Sequence, residues 1–356
     1  KIASLENERA FSSMILANMP SGIVTLNDSL TVTAYNDAAA EMLGLEKPMT
    51  QAHLESATIE NLELIRILYD TVKTLKPVSG EIKLGAAGKI VLAVLATPMT
   101  DSLGIHTGIL LMLSDLTLVR RLETVRQDFV GNVAHELRTP VTSICGFAEL
   151  LSRSTSADSE KISKYSTIVL RQARQMEMII NDLLTLASLD NNDSSLAEAK
   201  EVSSLVSLIS SAVELCHEQI ANKGADIVEK KKKNLTAFVH PGLLEQALVN
   251  LIGNAIKYGI TDHSKLIEIS ATQNDDIVEI QIIDHGAGIP EEHLARIFER
   301  FYRVDKGRSR EQGGTGLGLA IVKHIMQLHD GSVSVDSERG VRTCFTLRFP
   351  VRPQDE

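Results

Sequence analysis

Tryptophan is absent from the 356 residues, aromatic side chains make up only 4%, and there are three cysteines, Cys145, Cys216 and Cys344. Cysteines so few and so spaced form neither a metal-site motif nor a disulfide framework, and the default expectation is a reducing compartment. Long apolar runs are missing too. The best, Gly108–Leu113, falls far short of the ~18 residues a membrane helix needs. Positive charge is in deficit: 36 Lys+Arg against 46 Asp+Glu give −10, which argues against non-specific attraction to nucleic acid or anionic lipid. The chain begins at Lys1 with no charged-then-apolar leader pattern, and is expected to be part of something longer.

What is present is ordinary globular material, 44% hydrophobic and 23% charged, long enough for two or three domains at about 150 residues each. A helix is expected over Lys1–Asn18. Strand-like runs follow at Gly22–Leu26, Leu30–Tyr35, Gly80–Leu84, Lys89–Thr97 and Gly108–Ser114, separated by turn signals such as Asn27-Asp28-Ser29. Helical segments at Asp37–Leu43 and Ile59–Leu75 lie between them, so the first domain reads as α+β, with helices on one face of an antiparallel sheet.

From Leu118 the period changes. Leu118, Leu122, Val125, Phe129 and Val133 recur at helical spacing; beyond a polar break at Ser152–Asp158, Ile162, Tyr165, Val169, Gln172, Met176, Ile179, Leu183 and Leu186 alternate steps of three and four. Two seamed helices joined by a short loop make an antiparallel hairpin. One hairpin cannot cover both seams, so a homodimer forming a four-helix bundle is expected. Asp190–Ser195 reads as a linker. The remainder mixes helices (Leu205–Asn222, Pro241–Tyr258, Leu317–His329) with strands (Ile267–Thr272, Ile277–Asp284, Ser332–Asp336, Thr343–Phe349) as a second α+β domain. The expected division is 1–117, 118–195 and 196–356.

Two constellations carry chemistry. In His135-Glu136-Leu137-Arg138-Thr139-Pro140, an imidazole stands beside a carboxylate that can accept its proton and sharpen its nucleophilicity, Thr139 lies one turn on from Glu136, and Pro140 is expected to kink the helix. The second lies between Asn250 and Leu319. Asn250, Asn254 and Lys257 share a helical stripe, suited to a hydrated Mg²⁺ and phosphate oxygens. Asp284-His285-Gly286-Ala287-Gly288 closes a strand with a turn and an acceptor for a ligand amine. Phe298–Arg303 offers aromatic anchors with cations, and Gly313–Leu319 is a glycine run entering a helix, an arrangement that presents backbone N–H groups to phosphate. Each piece alone fits a core amide, a turn or a flexible loop. Their order and joint occurrence do not.

Together these motifs resemble those of the bacterial sensor histidine kinases with a PAS domain ahead of the kinase core, most closely the phosphate-sensor and related subfamily. His135–Pro140 resembles the H box, Asn250–Tyr258 the N box, Asp284–Gly288 and Gly314–Leu319 the two glycine boxes, and Phe298–Phe301 the F box. Asn36 and the closing Asp115-Leu116-Thr117 carry the PAS likeness. The resemblance implies an α+β multidomain protein: a PAS-like domain, a hairpin forming a dimeric four-helix bundle, and an α/β sandwich that binds ATP. It implies that His135 accepts the γ-phosphoryl group, that Glu136 orients the ring, and that Asn250 holds Mg²⁺. Asn254 and Lys257 would contact phosphate, Tyr258 would line the pocket, and Asp284 would read the adenine amine. Gly286, Gly288, Gly314, Thr315, Gly316, Leu317 and Gly318 would cradle the nucleotide, and Arg303 and Arg308, on a lid between Pro290 and Gly313, would neutralise transferring charge.

The implied partners are a second copy, a response-regulator receiver domain docking near Thr142, Ile144 and Phe147, and an unknown PAS ligand or signal; no nucleic acid is implied. The chain would be the cytoplasmic portion of a cell-membrane protein. Glu136 and Thr139 fit the Glu-x-x-Thr spacing associated with dephosphorylating the regulator. Asn250 stands where related ATPases of the gyrase type carry a carboxylate, and an amide is no general base, which favours transfer over hydrolysis. A kinase-inactive PAS-regulated scaffold is the alternative. Lys230–Lys233 reads as a hairpin turn, Cys145 as a packing residue, and His53 and His106 as surface residues. His217, His240, His263 and His285 show no ligand spacing.

Overall fold

The computed structural model describes residues 14, 18–43, 61–85, 89–153, 159–190, 199–231, 235–262, 264–304 and 314–352. The chain divides into two units, Lys1–Asp128 and Phe129–Glu356. The expected N-terminal helix, apart from residues 14 and 18, lies outside the described residues, as do His53, His263, Arg308 and most of Asp190–Ser195.

In the first unit, strands β1 (Gly22–Leu26), β2 (Val32–Tyr35), β3 (Val78–Leu84), β4 (Ile90–Thr100) and β5 (His106–Asp115) form one antiparallel sheet in the order β2-β1-β5-β4-β3. Period-two alternation turns Leu92, Val94 and Ala96 of β4, and Ile109, Leu111 and Leu113 of β5, to the same core. Each large side chain buried there contributes roughly 1.5–3 kcal/mol. Helix α1 (Asp37–Leu43) is capped by Asn36, whose Oδ1 accepts from the N–H of Ala39 and of Ile23. Helix α2 (Leu62–Thr74) starts on Asn61, whose side chain accepts from Leu64 N, and stops at Leu75 in the left-handed region, φ 51°. Leu64, Ile67, Leu68 and Thr71 form its buried face. The sheet matches the expected strands closely because both rest on the same alternation.

Helix α3 (Thr117–Arg153) begins where Asp115 Oδ1 accepts from Thr117 N at 2.7 Å, and Thr117 Oγ1 accepts from Val91 N at 3.0 Å. Hydrogen bonds from Thr117 hold the Asp115 carboxyl below its ordinary range. Arg120 reaches Glu81 of β3 and Glu123 of its own helix.

In the second unit, α3 continues unbroken through Pro140, its one buried residue. Helix α4 (Ser159–Asp190) returns beside it, with Phe147 and Tyr165 in ring contact at 5.6 Å. The expected α4 seam faces inward, with Ile179 and Leu186 buried and its other members half-buried. Cys145 is exposed, which corrects the expectation of packing.

The following domain has a sheet ordered β11-β12-β10-β9-β7, built from β7 (Asp226–Lys231), β9 (Leu266–Asn274), β10 (Ile277–Asp284), β11 (Ser332–Glu338) and β12 (Arg342–Pro350). Only the β7–β9 pairing is parallel. A ribbon of β6 (Glu201–Ser204) with β8 (Thr236–Val239) stands apart. Helices α5 (Leu205–Leu215), α7 (Pro241–Asn254) and α9 (Gly318–Leu328), the last preceded by the short α8 (Glu291–Leu294), supply Ile209, Leu244, Leu248, Leu251, Ile321 and Ile325 to a core shared with the sheet. The expected helix Leu205–Asn222 breaks at buried Cys216 into α5 and α6 (His217–Lys223), which ends on left-handed Gly224. The expected lysine hairpin is corrected as well. Lys230 and Lys231 end β7, which pairs with β9, while β8 pairs with β6, so the strands flanking the run are not partners.

Candidate nucleotide site and phospho-acceptor histidine

The alternation that buries Val278, Ile280 and Ile282 of β10 carries Asp284 inward as its last member, 6% exposed. An isolated carboxylate in that position is poorly solvated, and burial pushes its pKa up to about 6 despite the N–H that Gly286 donates to Oδ1 at 3.0 Å. Opposite it, α7 ends in a π-helical turn over Ala255–Gly259. Such turns insert an extra residue and often mark functional sites. A Cβ at Gly259 would fall onto the Asp284 carboxyl, and one at Gly286 onto the carbonyl of Tyr258. Glycine at these two positions lets strand end and helix end touch.

The same turn carries Lys257 and Tyr258 to the second glycine run. A Cβ on Gly314 would lie 2.8 Å from Lys257 Nζ, 3.3 Å from Tyr258 Oη and 3.9 Å from Arg303 Nη2, and one on Gly318 would lie 3.3 Å from Asn250 Oδ1. Residues from three stretches of chain therefore converge on Gly314–Gly318, with Asn254 half-buried one turn beyond Asn250. Gly316 has φ +71° and backs onto the Cα of Phe301, whose N–H donates to Gly316 O at 2.8 Å. Gly288, at φ +68°, packs against the backbone of Glu338 and Arg339. Leu317 is fully buried, and its N–H donates to Thr315 Oγ1 at 3.2 Å.

The electrostatics of this convergence are lopsided. Burial and the neighbouring Arg303 push the Lys257 ammonium down to about 8. Arg303 Nε and Nη2 and Asn250 Nδ2 are shielded from solvent and have no hydrogen-bond partner among the described residues. An amide can be turned end for end, so Asn250 can equally present its oxygen there. Two cations without a carboxylate, beside an unsatisfied amide, are costly unless an anion completes them. The residues fit a polyphosphate with a divalent cation.

His135 stands elsewhere on the unit's surface, on α3. Its side chain is 60% exposed, and Nδ1 faces Glu136 Oε1 at 3.5 Å. It lines an open hollow with Arg138, Thr139, Thr142 and Ser143. The Thr139 hydroxyl donates to the carbonyl of His135 at 3.3 Å.

Several contacts had no signal in the sequence. Thr315 Oγ1 donates to Asp182 Oδ2 of α4 at 2.8 Å, and burial raises the Asp182 carboxyl pKa. Arg300 donates to both oxygens of Asp190, at 2.7 and 2.8 Å, and lies over the Phe129 ring, which itself meets Phe301 at 5.8 Å. Only a charge that falls off the α4 seam hinted at Asp182, and nothing local names its partner. His285, adjacent to Asp284, faces Glu268 at 3.4 Å. His106 pairs with Asp28 at 2.6 Å and is partly buried.

Three family descriptions match the chain: PAS domain over residues 10–77, His Kinase A (phospho-acceptor) domain over 125–192, and Histidine kinase-, DNA gyrase B-, and HSP90-like ATPase over 240–353. The sensor protein kinase WalK of Staphylococcus aureus is 31% identical over 355 residues, 98% of this chain and 82% of that protein. WalK of Staphylococcus epidermidis is 31% identical over 353 residues, again 98% of this chain, which spans 56% of that relative's length. Among solved structures, histidine kinase ThkA in complex with response regulator protein TrrA aligns at a TM-score of 0.51 and 21% identity, over 97% of this chain and 99% of that one. That is a likeness of fold.

Proposed function

The chain belongs to the bacterial sensor histidine kinases, and from that premise we propose that it phosphorylates His135 from ATP with Mg²⁺, passes the group to an aspartate of a response regulator, and removes it again. The observation that carries the reading is the half-buried pair Lys257 and Arg303, with two guanidinium nitrogens shielded from solvent and no partner for them among the described residues, beside the unsatisfied amide of Asn250.

In this reading Lys257, Arg303 and Asn254 hold the phosphates, with Arg308 joining from the lid, and Tyr258 lines the pocket. Asp284, mostly ionised at pH 7, accepts from the adenine amine. The turn Gly314–Gly318 and the turn Gly286–Gly288 approach the nucleotide with their backbone. Asn250 would hold Mg²⁺, which would supply positive charge to offset that of the phosphates. Glu136 accepts a hydrogen bond from the Nδ1–H of His135, which fixes the tautomer and leaves the Nε2 lone pair free to attack. As the Nε2–phosphorus bond forms, the bond from phosphorus to the bridging oxygen breaks and ADP departs. The imidazole then carries positive charge, which Glu136 offsets by taking the Nδ1 proton. Positioning and charge stabilisation are the main requirements of phosphoryl transfer. For the reverse activity, the Thr139 hydroxyl turns from the helix carbonyl to hold a water against the regulator's aspartyl phosphate.

The functional division is 1–117 for sensing, 118–195 for dimerisation and phosphotransfer, and 196–356 for ATP binding. Exposed apolar side chains on the hairpin, among them Leu122, Val130, Val141 and Leu184, support pairing of two copies into a four-helix bundle. An anchor in the membrane would lie outside these residues; no helix among the described residues is long and apolar enough to cross one.

The test is incubation with Mg²⁺ and γ-labelled ATP, wild type beside His135→Ala. Acid-labile, base-stable label on the wild type alone is the expected result. Free phosphate without protein label would overturn the reading in favour of an ATPase, and tight nucleotide binding with no turnover would leave a scaffold.

A further inference from the structure

Helix α2 has two apolar faces, and its own domain uses one. Leu64, Ile67, Leu68 and Thr71 are buried against the sheet. Leu62, Ile65, Tyr69 and Val72 are exposed, as is Leu75 at the cap, at 81, 39, 62, 41 and 57%. At about 100° per residue, Leu62, Ile65, Tyr69 and Val72 form one stripe with the 3-4-3 spacing of a helix-pairing seam, and Leu75 follows three residues on, at the cap. Every charge of the helix lies on one flank of that stripe: Glu63, Arg66, Asp70 and Lys73. Among the described residues they are only loosely engaged, Arg66 lying 3.7 Å from Glu63 and 3.9 Å from Asp70, and Lys73 resting over the Tyr69 ring.

The order of these charges selects the occupant. Consider a second copy of α2 laid antiparallel on the first, with the two-fold axis near Leu68 and Tyr69. Leu62 then meets the partner's Leu75, Ile65 meets the partner's Val72, and Tyr69 meets the partner's Tyr69. An antiparallel two-fold brings like flanks together, so Glu63 falls opposite the partner's Lys73 and Arg66 opposite the partner's Asp70. Both are opposite-charge pairs, worth most as selectivity against the wrong register. A parallel pair would instead face the charged flank with the partner's sheet-bound flank and leave all four charges unmatched.

We propose that the exposed face of helix α2 is an isologous contact between the PAS-type domains of two copies of this chain, packed antiparallel about Tyr69. A 13-residue helix is only about 20 Å long, and one such pair is small beside the ~1,200 Å² of a self-sufficient interface. The contact therefore closes within a dimer already held elsewhere, where effective concentration is high. In that respect it rests on the hairpin pairing proposed above.

Whole-protein chains with a single exposed cysteine test it, in a Cys145→Ser background that leaves only the buried Cys216 and Cys344, using a short bismaleimide as cross-linker. Tyr69→Cys is expected to cross-link to itself. Leu62→Cys co-expressed with Leu75→Cys is expected to give mixed dimers, at several-fold higher yield than either variant alone. Leu122→Cys reports hairpin pairing independently. Self-cross-linking of Leu62→Cys in place of the mixed product would show a parallel pair and overturn the proposal. So would a Leu122→Cys dimer with no cross-link at any α2 position, which would mean that some other segment or partner covers the stripe. Cross-links on α2 without one at Leu122 would support the α2 contact and sink the hairpin reading instead.

Discussion

His135 stands on the open side of one helix, whereas the convergence at Gly314 is half-buried and is assembled from the end of α7, the segment around Phe301–Arg303 and the turn into α9. In the function proposed above, His135 must be reachable by two partners, a nucleotide and a regulator, which its exposure beside Glu136 allows. In the same reading the pocket takes a polyanion, which suits half-buried cations that no other described residue neutralises. Exposure makes the first site tolerant of change and chemically specific. Burial makes the second sensitive to every added atom.

The difference is broken most sharply at Asn250. Asn250→Ala is expected to lower autophosphorylation by about 100-fold or more, the scale for losing one preorganised polar group at a transferring centre. His135→Ala removes the label entirely yet leaves nucleotide affinity within about twofold of wild type, since the two residues serve different sites. Parallel titration calorimetry with a non-hydrolysable nucleotide and Mg²⁺ checks this, and equal loss of binding in both variants would mean that the sites are not separable.

Thr139→Ala sharpens the exposed side of the contrast. Its hydroxyl makes only a 3.3 Å bond to its own helix, so the fold and autophosphorylation should persist. Dephosphorylation of the regulator should fall by about 10- to 100-fold if a positioned water is lost. Unchanged dephosphorylation would leave Thr139 as a mere neighbour of Pro140.

On the buried side, Gly316→Ala forces a side chain into the left-handed region and against the backbone of Phe301. A cost of about 1–3 kcal/mol is expected, read as a lower thermal midpoint for the ATP-binding domain. The same substitution at Gly131 of α3, where a Cβ meets nothing within 4 Å, should be neutral or slightly stabilising.

The smallest effect is a pH dependence. The Lys257 pKa is depressed to about 8, so the free protein loses this charge as pH rises through 8. Bound phosphate favours the ammonium and raises its pKa again, so binding takes up a proton above pH 8. Nucleotide affinity should therefore weaken by up to about tenfold per pH unit there, and Lys257→Met should flatten that slope. A slope that survives the substitution would assign it to another group.

Much of this molecule was legible before its structure. Strands β1, β4, β5, β9, β10, β11 and β12 follow from period-two alternation, and the α4 seam from the three-four repeat, because both signals are local and each is repeated many times along an element. Strand β6 gave no signal, since four residues carry too little period, and the strands on either side of the lysine run were expected without bounds and as each other's partners, whereas β7 pairs with β9 and β8 with β6. The pocket's members were recognisable as motifs, but not their convergence. Residue types and spacing named Asn250, Lys257, Asp284 and Gly314. Only packing put Lys257 and Tyr258 beside Gly314, laid Gly259 against Asp284, and left two Arg303 nitrogens shielded with no partner among the described residues.

By itself the sequence determined which residues could be nucleophile, carboxylate partner and phosphate cradle, because those assignments depend on functional groups and on neighbours within a turn or two. Tertiary structure alone decided the bonds from Thr315 to Asp182 and from Arg300 to Asp190, which span 133 and 110 residues. It also decided the depressed Lys257 and the raised Asp284. Those are consequences of desolvation, and how far a group is removed from water depends on every segment that folds around it.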